Sequence, residues 1–182
     1  IGDISRVLVI CPLSIMTSAW VDDAFNTIMH RPVGVAHGSR NRRLKVINGD
    51  FDIVVINYDG IPIVEKQLKG QFDLVIMDEG SFVKNSQAAR WKAINRLLTP
   101  ETKVWMLTGT PAAQSPTDAF GLAKMVTPHR VPRYFGAFRD LVMWRASQFT
   151  YKPKADAIQT VRRALQPAIR FTKAQCLDLP PV

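Results

Sequence analysis

The amino-acid sequence predicts an α/β fold built on an open parallel sheet with helices on both faces. Three observations carry this. Four short runs, Val7-Leu8-Val9-Ile10, Ile53-Val54-Val55-Ile56, Leu74-Val75-Ile76-Met77 and Val104-Trp105-Met106-Leu107, are continuously apolar rather than alternating, as strands buried on both faces of a parallel sheet are. Helical periodicity fills the intervals between them. The chain of 182 residues, 47% hydrophobic and 21% charged, has enough apolar material for a core without disulfide staples.

Taken in order, the first run ends at Pro12, and residues 14–30 place Met16, Trp20, Ala24 and Ile28 on one helical stripe, with Asp22 and Asp23 off it. Pro32 closes that helix, and a further short strand is expected over residues 32–36 before His37-Gly38. Arg40, Arg42, Arg43 and Lys45 follow in what reads as an exposed helix, a solvated face that also suits phosphate contacts. Residues 86–98 repeat the amphipathic pattern through Ala89, Ile94, Leu97 and Leu98. Ser115-Pro116-Thr117-Asp118 has the composition of a helix start ahead of Phe120, Leu122, Met125 and Val126. From Thr127 onward Pro128, Pro132, Gly136, Pro153 and Pro167 interrupt the pattern, and one more helix is expected over residues 155–165.

Composition narrows the function classes. Cys11 and Cys176 stand far apart with no CxxC or Cys/His cluster, so neither a disulfide framework nor a zinc site is indicated, and a reducing compartment fits. No apolar run approaches the roughly 20 residues of a membrane span, and no signal peptide is legible at the start. An intracellular protein is expected, in a bacterial cytoplasm, a virus-infected host or a nucleus. The first residue is not Met and a strand begins almost at once, so an internal piece of a longer chain is expected. The formal net charge of +9 is uneven: residues 1–123 hold 13 Lys/Arg against 12 Asp/Glu, and residues 124–182 hold 11 against 3. That basic third, with Arg162, Arg163, Arg170 and Lys173 interleaved among aromatics, suits a polyanion whose counterions are released on binding. A solvated basic face over an aromatic core has the same composition. Trp20 and Trp91 read as core or groove packing, with Trp20 the candidate for a nucleic-acid contact. His37 and His129 read as surface or turn residues, and His30 as a helix C-terminal residue.

In doubly wound sheets, ligands bind beyond the carboxyl ends of the strands, so chemistry is sought directly after each apolar run. The third run is followed by Asp78-Glu79-Gly80-Ser81, the fourth by Thr108-Gly109-Thr110-Pro111, the first by Pro12-Leu13-Ser14 and the second by Asn57-Tyr58-Asp59. Two adjacent carboxylates at the end of a buried strand are costly unless a cation or a proton shares the site. An aspartate so placed is the arrangement by which nucleotide-hydrolysing domains hold Mg²⁺, and a following glutamate can orient or deprotonate water. An Asp-Glu pair also occurs as a plain capping or loop feature. The Thr-Gly-Thr-Pro turn after the neighbouring run favours the chemical reading, since its hydroxyls can bridge to the acidic loop.

The whole ordered set, Val-Ile-Cys-Pro-Leu-Ser, Asn-Tyr-Asp, Val-Ile-Met-Asp-Glu-Gly-Ser-Phe-Val-Lys-Asn and Met-Leu-Thr-Gly-Thr-Pro, resembles the first RecA-like lobe of superfamily-two helicases, most closely the Swi/Snf-type ATP-dependent DNA translocases. The resemblance continues through Phe120-Gly121-Leu122, Phe135-Gly136-Ala137-Phe138-Arg139 and Arg170-Phe171-Thr172-Lys173 to Leu179-Pro180-Pro181. It implies a RecA-like parallel sheet of the P-loop NTPase type with its N-terminal part missing, over residues 1–126. Residues 127–182 would form a small basic helical extension leading to a second lobe. Implied partners are ATP, Mg²⁺, DNA gripped through its backbone, and the second RecA-like lobe of the same chain. By the same resemblance Asp78 helps hold Mg²⁺ and Glu79 activates the hydrolytic water. Ser81, Thr108, Gly109 and Thr110 couple nucleotide state to DNA grip, and Pro12, Leu13, Ser14, Asn57, Tyr58, Lys84 and Asn85 line the strand-tracking surface.

The sequence departs from the family pattern in three places. Ser81 stands where a histidine is usual, Ala112-Ala113-Gln114 replaces Leu-Gln-Asn, and Phe171 replaces a second arginine. A larger departure is that Gly-x-x-x-x-Gly-Lys-[Ser/Thr] occurs nowhere. In the family that loop precedes the first strand seen here and also brings a central strand. Without its lysine and hydroxyl, this piece by itself is expected to bind ATP poorly and hydrolyse none. A motor fragment, a non-catalytic binding module derived from a helicase lobe, and part of an unwinding helicase or restriction-enzyme motor subunit share these motifs. Two retained carboxylates at one strand end favour an enzyme.

Overall fold

The computed structural model describes residues 4–112 and 114–171. Five strands, β1 (Val7–Cys11), β2 (Val33–Val35), β3 (Ile53–Asn57), β4 (Leu74–Met77) and β5 (Lys103–Met106), form one parallel sheet in the order β2-β3-β1-β4-β5. The strands start level: Val7 is in register with both Ile53 and Leu74, and Leu74 with Lys103. β1 and β3 end level at Cys11 and Asn57, and β4 and β5 one residue earlier at Met77 and Met106, so the segments after them share one rim.

Side chains alternate between the two faces of the sheet. Leu8, Ile10, Val54, Ile56, Val75 and Met77 enter the larger core. There they meet α2 (Arg40–Ile47), α3 (Ile61–Leu68) and α4 (Ala89–Leu97) through Ile47, Ile61, Leu68, Trp91 and Ile94. The opposite face, with Val9, Cys11 and Val55, packs on Met16 and Trp20. Its cover thins toward β5, where Trp105 is 58% exposed. The expected strand over residues 32–36 is present as β2, whereas α3 was not legible in the sequence because Gly60, Pro62 and a short span obscure its period.

Two expectations are corrected. The helix expected over residues 14–30 is not continuous. A 3-10 turn (Leu13–Ile15) and a π turn (Met16–Val21) precede a short α1 (Asp22–Ile28), which leaves Ile28 exposed rather than on a buried stripe. Arg43 does not belong to a solvated face, being 5% exposed. Its guanidinium donates to the carbonyls of Ala36 (2.6 Å) and Gly38 (3.0 Å) and to Asn57 Oδ1 (3.0 Å). A Cβ at Gly60 would collide with that guanidinium, so glycine is required beside it. The other members of the cluster, Arg40, Arg42 and Lys45, are exposed as expected.

Beyond β5, Ser115 caps a 3-10 turn (Pro116–Asp118) by accepting from the Thr117 amide, and α5 (Ala119–Val126) follows. Next come α6 (Phe135–Val142), an antiparallel hairpin of β6 (Met143–Arg145) and β7 (Tyr151–Pro153), and α7 (Ala157–Leu165). The basic extension was expected to be helical, and the hairpin is an addition to that reading. Its strands are three residues long, too short for a period to show. Ala119, Phe120 and Ala123 of α5 share a second core with Phe138, Val142, Val161 and Ala164, and Thr127 Oγ1 donates to the Ala164 carbonyl at 2.7 Å. The α5 helix thereby joins the sheet to the basic extension.

Close packing of α5 against the segment after β4 makes a stability prediction. A Cβ at Gly121 would run into the backbone carbonyls of Val83 and Lys84. Gly121→Ala is expected to destabilise the fold by about 2 kcal/mol, read as a lowered denaturation midpoint; an unchanged midpoint would show that this approach is not rigid. Cys11 is fully buried, and that burial, with the Asp78 charge adding to it, pushes its thiol up to about 12. The thiol is therefore protonated at pH 8, and iodoacetamide is expected to alkylate Cys11 only after unfolding, as followed by mass spectrometry.

Candidate active site at the carboxyl rim

The level strand ends bring the acidic doublet and the threonine-rich turn together. Asp78 N donates to the Ile10 carbonyl and Leu107 N to the Met77 carbonyl, each at 2.8 Å, extending the parallel ladder past β4 and β5. Gly80 N then donates to the Leu107 carbonyl at 2.8 Å, tying one loop directly to the other. A side chain at Gly80 would meet Met106, which explains the glycine.

Asp78 is held from three directions. Its Oδ1 accepts from the Glu79 amide (2.8 Å), its Oδ2 from Trp20 Nε1 (3.0 Å), and its carbonyl from the Tyr58 hydroxyl (2.8 Å). Glu79 sits in the left-handed region at φ 53°, which costs about 1 kcal/mol for a residue with a side chain. Its carboxylate has no hydrogen bond or ion pair among the described residues and is half-buried at the rim. Burial first, and then the charge of Asp78, pushes the Tyr58 phenol well above its usual range, so that it remains a hydrogen-bond donor.

Behind the doublet, the rings of Tyr58 and Phe82 stack with centroids 5.1 Å apart and planes 7° from parallel. The Arg90 guanidinium lies 5.4 Å from the Phe82 centroid and pairs with Asp59 at 2.7 Å. Lys84 Nζ donates to Gln114 Oε1 (2.9 Å) and lies 3.7 Å from Asp118, a second tie between the acidic loop and the segment after the threonines.

The bridge expected from side-chain hydroxyls takes another form. The two loops are joined through backbone and through Lys84, while Thr108 Oγ1 is buried without a partner among the described residues. Ser81 is half-buried, Thr110 is exposed, and a Cβ at Gly109 would meet nothing within 4 Å. Nothing in the fold therefore demands glycine at position 109.

The residues expected on a strand-tracking surface divide. Leu13 and Ser14 are exposed on the turn after β1, with Pro12 half-buried beside them, and Asn85 is exposed with Oδ1 accepting from the Gln87 amide. Asn57 and Tyr58 face inward. Asn57 is 8% exposed with its oxygen taken by Arg43, and Tyr58 is 2% exposed beneath the Asp78 peptide. Their side chains support the rim from below instead of presenting to solvent. Arg162, Arg163 and Arg170 are exposed on the extension, away from the rim's own core. Lys173 lies outside the described residues, as do Ala113, Thr172, Cys176 and the segment 179–181. Sequence reasoning gave no role to Arg90 or to Phe82, although Phe82 lies within the acidic-loop motif; Trp20 packs against the second core as expected, and its bond to Asp78 is an addition.

The donor set around Asp78 suits a divalent cation only in one form. No cluster of three or more His, Cys, Asp or Glu occurs among the described residues, so a cage made wholly of protein is not available. One carboxylate at a strand end fits Mg²⁺, which usually keeps several waters and takes its remaining ligands from substrate phosphate. Each Asp78 oxygen also retains acceptor capacity beyond its one hydrogen bond.

Comparison with known proteins agrees with this fold. The chain is 36% identical over 97 residues to SWI/SNF-related matrix-associated actin-dependent regulator of chromatin subfamily A-like protein 1 of Bos taurus, covering 50% of this chain and 10% of that protein. It is 32% identical over 125 residues to helicase-like transcription factor of Homo sapiens, covering 63% of this chain and 12% of that protein. The chain thus spans about a tenth of the length of these relatives. In fold it is similar to the Sulfolobus solfataricus SWI2/SNF2 ATPase core in complex with dsDNA, with a TM-score of 0.64 at 24% identity, over 75% of this chain and 28% of that one. The SNF2-related domain family matches residues 2–181. With its parallel sheet, acidic rim and near-complete family match, the chain belongs to the SNF2-related domain family, as a first RecA-like lobe.

Proposed function

We propose that this chain is the nucleotide-facing part of an ATP-dependent DNA translocase, a motor that couples ATP hydrolysis to movement along duplex DNA. The observation that supports this most directly is the Gly80 to Leu107 hydrogen bond, which holds Asp78-Glu79 and Thr108-Gly109-Thr110 side by side on one rim. Mg²⁺, when bound, supplies charge neutralisation to the phosphates of ATP. The residues of this chain provide the rest. Asp78, its plane set by neutral donors, keeps its full negative charge for one metal-ligand position. Glu79, left without an internal partner, orients a water and accepts its proton.

DNA is the proposed track. The Pro12-Leu13-Ser14 turn offers backbone amides and a hydroxyl at the start of a helical segment, groups that meet phosphates without reading bases. The arginines of α7 and Arg170 add sequence-independent attraction. A second RecA-like lobe in the same longer protein is the proposed partner, with the phosphate loop in a further segment. By itself the chain would bind ATP weakly and not turn it over. A binding module without catalysis is disfavoured, because it has no use for a free carboxylate held at a strained backbone position.

In the longer protein, Glu79→Gln is expected to leave ATP affinity nearly unchanged and to lower DNA-stimulated kcat at least ~100-fold, the range of general-base catalysis. Steady-state ATPase measurement with and without duplex DNA checks this, and unchanged turnover would remove Glu79 from the role. Replacing Arg162, Arg163 and Arg170 together by Gln is expected to weaken DNA binding and to make the slope of log affinity against log salt shallower by about one for each phosphate no longer neutralised. An unaltered slope would show that the basic extension is not part of the footprint.

A further inference from the structure

The geometry points to Trp20 as a positioning residue for the Asp78 carboxylate, making the segment between β1 and α1 part of the metal-holding side of the site; this rests on the metal-binding role proposed for Asp78. Trp20 Nε1 lies 3.0 Å from Asp78 Oδ2, across 58 residues of sequence. Asp78's other oxygen accepts only from the adjacent Glu79 amide, within its own loop. A carboxylate held by that one local bond could turn about its side-chain torsions. The indole engages the second oxygen from outside the loop and fixes the plane.

The chemistry of the donor matters. An indole N–H donates and does nothing else. It holds the oxygen without neutralising it, whereas a Lys or Arg in its place would compete with a divalent cation for the same charge. Partners of this kind, one step removed from the metal, typically change metal affinity or activity 10–100-fold when removed.

Local backbone geometry delivers the indole. Met16–Val21 is a π turn, wider than an α-helical one, and such turns are frequent at functional sites. Met16 at its start is buried in the sheet's second core, and the half-buried Trp20 packs against the same cluster while its Nε1 reaches Asp78 Oδ2. The preceding 3-10 turn carries the exposed Leu13 and Ser14.

The test compares Trp20→Phe and Asp78→Asn. In the longer protein, the Mg²⁺ concentration that half-saturates DNA-stimulated ATP turnover is expected to rise about 10-fold or more in Trp20→Phe. A second readout needs no activity and no folding of that variant. In the 182-residue chain labelled with ¹⁵N-tryptophan, one of its four indole N–H resonances is expected to shift on Asp78→Asn, with the other three unmoved. An unchanged Mg²⁺ requirement in a folded Trp20→Phe protein, or four indole resonances indifferent to Asp78→Asn, would overturn the positioning role. If Asp78→Asn itself leaves the Mg²⁺ requirement unaltered, the role proposed for Asp78 fails, and the role given to Trp20 fails with it.

Discussion

Level registration of the parallel strands is the constraint on which the rest of this lobe depends. Because β1, β3, β4 and β5 begin in step, their carboxyl ends form one rim, and four segments distant in sequence become neighbours there. A slip of one residue in β4 would move Val75 and Met77 from the large core to the thinly covered face. It would also carry Asp78 off the Ile10 carbonyl. Burial on the helix-covered face thus fixes the register, and the register fixes the site.

Electrostatics at the rim arise from the kind of groups that surround Asp78. Its direct partners are an indole, a phenol and a backbone amide, none of them charged. In the supporting layer, the cationic Arg90 is engaged by Asp59 and by the faces of Phe82 and Tyr58. The negative charge at Asp78 meets no cation among the described residues, and it adds to burial, the larger cause, in disfavouring the anionic forms of the Cys11 thiol and the Tyr58 phenol. An uncompensated carboxylate at the end of a buried strand is a poor choice for stability and a useful one for holding a cation.

The helical extension is joined to the sheet through α5, one helix serving two cores. One flank packs beside β5 and the acidic loop, where Trp91 Nε1 donates to the Gly121 carbonyl at 2.9 Å. The other flank meets α6 and α7 through Phe120, whose ring lies 5.5 Å from that of Phe138.

Much of this lobe could be read from residue order. Continuous apolar runs betray strands buried on both faces, and the residues directly after such runs fall at the ligand-binding rim whatever the details of packing. The α/β class, four of the sheet's strands and the acidic doublet were therefore all determined by the sequence alone. Tertiary structure alone decided which side chains point outward. Asn57 and Tyr58 lie in a motif yet turn inward, because a buried arginine and a backbone carbonyl claim their polar atoms. Trp20 packs against the second core as its stripe suggested, but nothing local reveals that its indole N–H will also meet a carboxylate 58 positions away. Periodicity records which residues avoid water; hydrogen-bond partners between distant segments depend on register and on helix winding, which exist only once the chain has folded.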